Sequence, residues 1–381
     1  MTKLPPISRL HIISLISGLL LSTQTAFAEP HIHGSRTHNH KLPGQGYAHK
    51  HGNGPVGRPA GGAPARQAPQ NNHRQAPARA GGGNNPNVLL KNAYNRKDYA
   101  TVFKIASQYA QKGDTAGQYI LGQLYLNGQG QRKNPQMALK WFKKAADKGH
   151  PGAAFFAGNM YASGIGTGKN PGLAFKYIKL ASQKGIPDAD YPLGILYANG
   201  KGTKKNPALG FKYISKAAKK NNPLAQYDLA SMYMQGIGTR RNPAQAIQWY
   251  TKAANKGVAL AQHNLGLIYL QGIGTKKNPG RAAQWFRKSA AKGMATSQYI
   301  LGDLYVDGIG VPKNHKTALS WYKKAAAKGL PAAQYSVGAM YANGYGTAKN
   351  IKTAKVWFQK AAKKGNKNAK NALAVLRKNH L

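Results

Sequence analysis

Apolar and small residues recur along most of this chain at helical spacing, broken at fixed intervals by glycine-rich polar turns. Residues 294–329, "MATSQYILGDLYVDGIGVPKNHKTALSWYKKAAAKG", show the pattern. Tyr299, Leu301, Gly302 and Tyr305 share the three-to-four-residue spacing of one helix face. "DGIG" stops that helix, and Asn314 is placed to cap a second one. In five sister segments the residue after the cap is proline: Pro135, Pro171, Pro207, Pro243 and Pro279. An Asn cap followed by proline at the first helical position is a strong start signal. Ala318, Trp321, Tyr322, Ala325 and Ala326 mark the apolar side of the second helix, and Lys328-Gly329 ends it. The segment reads as helix, glycine-rich turn, helix.

The period is constant. Gly149, Gly185, Asn221, Gly257, Gly293, Gly329 and Gly365 stand 36 residues apart, which divides 114–365 into seven units. Fixed self-similarity at this period predicts an all-α solenoid of helix pairs. An additional helix pair is expected at 87–113 and a closing helix at 366–381. Two turn glycines, Gly308 and Gly310 in this unit, recur in all seven, which implies backbone with positive φ. A glycine or alanine inside each first helix (Gly122, Gly158, Gly194, Ala230, Gly266, Gly302, Gly338) implies two helices in close approach.

These residues resemble the Sel1-like repeat family, relatives of the tetratricopeptide repeats. The match runs "A-x-Y-x-LG-x-LY-x-x-G-x-G" and then "N-P-x-x-A-x-x-W-[FY]-x-K-A-A-x-x-G" over 114–365, more loosely over the flanks. The resemblance implies a right-handed superhelix of antiparallel helix pairs that acts as an adaptor for other proteins and is not generally catalytic. It also implies that bacterial members are often exported, to act in envelope regulation or host interaction. The chain departs from the family at the second-helix cap. Where Asp is usual it has Asn134, Asn170, Asn206, Asn242, Asn278, Asn314 and Asn350, keeping the capping bond and dropping the charge.

Composition adds a constraint on partners. The chain of 381 residues has 56 Lys and Arg against 9 Asp and Glu, a formal charge of +47. It has no cysteine, which excludes disulfides, thiolate metal sites and cysteine chemistry. Residues 1–28 read as an export signal. Lys3 and Arg9 precede the apolar run Ile12–Leu21, and "AFA" ends at Ala28, so cleavage is expected before Glu29 and the mature protein in the periplasm or outside the cell. A signal anchor is the alternative. Residues 29–86 read as a disordered basic tail. Its histidines (His31, His33, His38, His40, His49, His51) could bind metal, although their spacing matches no structural zinc site; a plain linker is the competing reading.

Three further sets of residues are candidates for function. One basic column lies in the turns (Lys133, Lys169, Lys205, Arg241, Lys277, Lys313, Lys349), and a second ends the second helices (Lys148, Lys184, Lys220, Lys256, Lys292, Lys328, Lys364). Stacking turns each into a stripe that would attract lipopolysaccharide, anionic lipid or nucleic acid. Such stripes equally suit a solvated face with cations at helix C-termini. On the first helices, Tyr119, Phe155, Tyr191, Tyr227, His263, Tyr299 and Tyr335 form one column, with Asn127, Asn199, Gln235, Gln271 and Asn343 in another. By analogy they would line a concave groove for an extended peptide or a sugar; packing between repeats is the competing role for the rings. No catalytic set stands out and no cofactor site is expected. The expectation is therefore an exported scaffold with a protein partner. The alternatives are a polyanion-binding protein and, further off, a peptidoglycan hydrolase using an acid among Asp188, Asp190, Asp303 and Asp307.

Overall fold

The computed structural model describes residues 86–379. The expected signal peptide, all but the last residue of the basic tail with its candidate metal-binding histidines, and His380 lie outside the described residues. Among the described residues there are seventeen α-helices, one 3-10 turn and no strand. They fall into two compact units, 86–184 and 185–379.

The first unit comprises α1 (Pro86–Asn95), α2 (Tyr99–Gln111), α3 (Thr115–Asn127), α4 (Pro135–Asp147), α5 (Pro151–Ser163) and α6 (Pro171–Gln183). The second opens with a 3-10 turn at Pro187–Ala189, then α7 (Asp190–Asn199), α8 (Pro207–Lys219), α9 (Pro223–Gln235), α10 (Pro243–Asn255) and α11 (Ala259–Gln271). It continues with α12 (Pro279–Ala291), α13 (Ala295–Asp307), α14 (His315–Ala327), α15 (Pro331–Asn343), α16 (Ile351–Lys363) and α17 (Lys367–Lys378). Within each unit, a repeat's first helix packs on its own second helix, and that second helix packs on the next first helix. The fold is an all-α solenoid of helix pairs.

Local chemistry explains each boundary. All seven Asn caps accept the N–H of the residue three places on through Oδ1, at 2.8–3.0 Å. The N–H of the same Asn donates to the carbonyl of the tyrosine at 125, 161, 197, 233, 269, 305 or 341, at 2.7–2.9 Å, closing every turn in the same way. Between these anchors both turn glycines take positive φ, 66° to 78° across the seven repeats. The second of the pair also lies against the preceding repeat. A Cβ on Gly238 would run into the carbonyl of Pro207, the first residue of α8, and one on Gly310 into that of Pro279. Glycine is needed there for space as well as for φ.

The helical glycines mark the close approach that their spacing predicts. A Cβ at Gly122, Gly266, Gly302 or Gly338 would stand 2.5–2.7 Å from the ring of Phe142, Phe286, Tyr322 or Phe358. Those rings are fully buried and fill the space that the missing Cβ leaves. At the ends of the second helices, carbonyls without intrahelical partners are satisfied by the next repeat. Gln118, Gln226, Gln262, Gln298 and Gln334 each donate Nε2 to the carbonyl eight residues earlier, at 2.9–3.3 Å. In the repeat at 186–221 that place belongs to Asp190, fully buried and paired with Lys216 at 2.9 Å and Lys220 at 3.2 Å.

Gly302→Ala tests the close approach. Alanine improves helix propensity by ~1 kcal/mol, but overpacking costs ~1–3 kcal/mol against a ring that cannot retreat. A net loss of up to about 2 kcal/mol is expected as a lower urea midpoint; a higher midpoint would contradict the packing.

Candidate interaction surfaces

The tyrosine column faces inward. Tyr227, His263 and Tyr299 are buried and Tyr119, Phe155, Tyr191 and Tyr335 half-buried. Five of the rings lie against the second-helix ring of their own repeat, with centroids 5.6–5.9 Å apart: Tyr119 on Phe142, Tyr227 on Tyr250, His263 on Phe286, Tyr299 on Tyr322 and Tyr335 on Phe358. For these five rings the packing role is the one observed; Phe155 and Tyr191 are half-buried without such a ring partner among the described residues. At one position past the buried face of a helix, a large ring gains more by packing on its partner helix than by facing water.

A different stripe of the first helices is buried in its middle, where Asp228 meets Tyr191 of the preceding repeat, and open at its ends. In α9, residues 224, 228, 231 and 235 follow one another at i, i+4, i+7 and i+11, on one side of the helix; α11 repeats this with 260, 264, 267 and 271. Leu224 is 51% and Leu260 48% exposed, while Gln235 is exposed and Gln271 half-buried. The amide column, with exposed Asn127 and half-buried Asn199 and Asn343, lies at one end of this stripe.

The two basic columns differ in what holds them. All seven turn cations are exposed, from Lys133, Lys169, Lys205 and Arg241 to Lys277, Lys313 and Lys349. Three of the helix-end lysines reach back to the preceding repeat, and Lys220 pairs with Asp190 instead. Lys148, Lys256 and Lys364 donate to the carbonyls of Gly113, Asn221 and Gly329 at 2.7, 2.6 and 2.9 Å. They complement the negative end of the preceding helix, so these three lysines clasp neighbouring repeats.

A third basic column is one that the sequence pattern alone does not single out. Lys144, Lys252, Lys288, Lys324 and Lys360 hold their ammonium groups 4.0–4.7 Å from the ring centroids of Trp141, Trp249, Trp285, Trp321 and Trp357, three residues earlier. Its signal is the recurring Trp-x-x-Lys, which places both side chains on one helix face.

The few acids are engaged with the fold. Asp228 is 3% exposed and accepts the Tyr191 hydroxyl at 2.7 Å; Asp303 is 6% exposed and accepts the Tyr322 hydroxyl at 2.6 Å. No cation forms an ion pair with either among the described residues. Burial pushes both carboxyls up to about 7, the tyrosine bonds opposing it in part. His263 is the converse. Burial pulls it down to about 4, and its Nδ1 meets the Ser297 hydroxyl at 2.8 Å. It is a packed member of the ring column. Asp188 is exposed on the 3-10 turn. No group of three or more metal-ligating side chains occurs among the described residues, and no described helix is long and apolar enough to cross a membrane.

The array defined by these turns, caps and close approaches is matched by the Sel1 repeat model seven times, at 115–150, 151–186, 187–222, 223–258, 259–294, 295–330 and 331–366. The chain belongs to the Sel1 repeat family. It is similar to the crystal structure of a Sel1 repeat protein from Oxalobacter formigenes, at 28% identity and TM-score 0.61, over 76% of this chain and 89% of that one. It is also similar to c5321, a protective antigen of uropathogenic Escherichia coli strains with the same repeat fold. There the identity is 30% and the TM-score 0.56, over 76% of this chain and 70% of that one. No curated protein matches the chain significantly. Sel1 repeat proteins generally mediate protein–protein interaction, and that class of function applies here.

The buried acids set a pH dependence. Below about 4 they are protonated in both folded and unfolded chains. Between about 4 and about 7 the unfolded chain ionises them and the folded chain does not, so stability falls as pH rises through that window and is level above it. Asp228→Asn with Asp303→Asn removes this loss. The variant's melting temperature should gain on the parent's from about pH 4 to about pH 7 and hold that gain at higher pH. Parallel melting curves would contradict the assignment.

Proposed function

We propose that the protein is an exported, non-catalytic scaffold that holds a protein partner at the open ends of the Leu224/Leu260 stripe of its first helices. The observation that carries this reading is the pair Leu224 and Leu260. Two large apolar side chains, each about half exposed, stand at the same register in successive repeats, with Gln235 and Gln271 at the far end of the same stripe. Aligned apolar anchors flanked by amides suit an extended or helical peptide segment that spans several repeats. The turn column favours anionic surfaces, so the scaffold would also concentrate near them. Export rests on the sequence of residues 1–28. The likeness to a protein described as a protective antigen accords with a location outside the cytoplasm.

The test immobilises the chain from Glu29 onward and passes envelope extract over it at low salt and at about 0.5 M, where charges beyond roughly 4–5 Å are screened. One or two proteins should remain at high salt, and Leu224→Ser with Leu260→Ser should release them. Complete elution at high salt from the parent chain would overturn the partner held at this stripe.

A further inference from the structure

The second helices of the repeats spanning 222–365 carry a surface that the scaffold reading does not use. Four of the chain's five tryptophans stand there in register, at 249, 285, 321 and 357. One side of each indole packs towards the core clusters of its unit. An ammonium lies over the ring, Lys252, Lys288, Lys324 and Lys360 in turn, at 4.0–4.5 Å from the centroid. Beside this row, Arg287 donates to the Tyr305 hydroxyl at 3.1 Å and Lys323 to the Tyr341 hydroxyl at 2.8 Å. These cations are tethered to aromatic side chains, which reduces the freedom a ligand would have to freeze out.

The charge on this face is uncompensated. The four helices α10, α12, α14 and α16 contain eleven Lys and Arg and no Asp or Glu. The three buried acids of this unit, Asp190, Asp228 and Asp303, lie on first helices. Nine of the eleven cations are lysines. Lysine meets phosphate as a point charge, whereas recognition of planar carboxylates favours the fork of arginine. A membrane needs apolar side chains to insert, and Val356 is the one large hydrophobic side chain exposed on these four helices.

We propose that this face docks a single-stranded nucleic acid through its phosphates. A flexible strand can bring successive phosphates to a row of ammonium groups that recurs once per repeat. Each indole already carries a lysine, so bases find no free stacking face, and binding is indifferent to sequence. The surface is separate from the first-helix stripe, so it stands or falls independently of the scaffold reading.

All five tryptophans of the chain lie under this column, so their emission reports on a ligand arriving there. The full-length chain would be titrated with labelled oligothymidylate of about 30 nucleotides, from about 50 to about 300 mM salt, following anisotropy and tryptophan emission together. One variant changes Lys252, Lys288, Lys324 and Lys360 to Gln. A second removes the same charge from the turns by changing Lys205, Lys277, Lys313 and Lys349 to Gln. Emission of the parent should change on binding. The ladder variant should bind on the order of tenfold more weakly, with a log–log salt slope shallower by about 0.7 for each phosphate no longer neutralised, about 3 for four. The turn variant should keep the emission response and most of the affinity. Equal losses in the two variants, an emission that does not respond, or equal binding of polyglutamate or anionic lipid vesicles at the same salt would overturn the proposal.

Discussion

Within each unit, backbone packing between a turn and the start of the preceding second helix is the constraint on which the array depends. The second turn glycine sits where any side chain would strike the carbonyl of the residue that opens that helix, as Gly238 does against Pro207. The chain must reach that point in the same conformation every time. The double bond of the Asn secures this, with its N–H on the tyrosine carbonyl and its Oδ1 on the helix N-terminus. Repeats are therefore copies of one contact, and stability accumulates from nearest neighbours.

From that contact follows the distribution of charge. Placing Asn where a carboxylate would serve equally well as a cap leaves the turns wholly cationic. Three of the nine acids are buried among the helices. Asp190 replaces the junction glutamine and collects two lysines, and Asp228 and Asp303 are bonded to tyrosines inside. The helix-end lysines are taken up in part by carbonyls of the preceding repeat. What remains facing water is a strongly cationic surface, part of which rests on tryptophan.

Repeat boundaries, caps and turn glycines are legible in the sequence because each is a local requirement met by one residue type. Asn314 and Gly310 announce themselves without knowledge of any partner. The surface is harder to read because position along a helix does not give depth. Tyr299 and Asp303 lie four residues apart on one helix, and by residue type both suit binding; the structure buries both, the first on Tyr322 and the second under its hydroxyl. Leu224 and Leu260 look like ordinary helix residues, and only the neighbouring repeats reveal that they are left open. The Trp-x-x-Lys pairs are visible as a motif, but the place of the tryptophans on the apolar side of the helix hides their half-exposed face.

The central claim is that the turn packs on the preceding repeat, and two alanine substitutions separate this from backbone conformation alone. Gly236 and Gly238 have nearly the same φ, 75° and 68°. A side chain on Gly236 meets only its own turn, at 3.3 Å from the N of Arg241. Each substitution carries the left-handed cost of ~1–2 kcal/mol. Urea unfolding of Gly236→Ala and Gly238→Ala should show the second to be clearly the more destabilising. Equal losses would mean that the glycines serve only their own turn, and that the junction between repeats is held elsewhere.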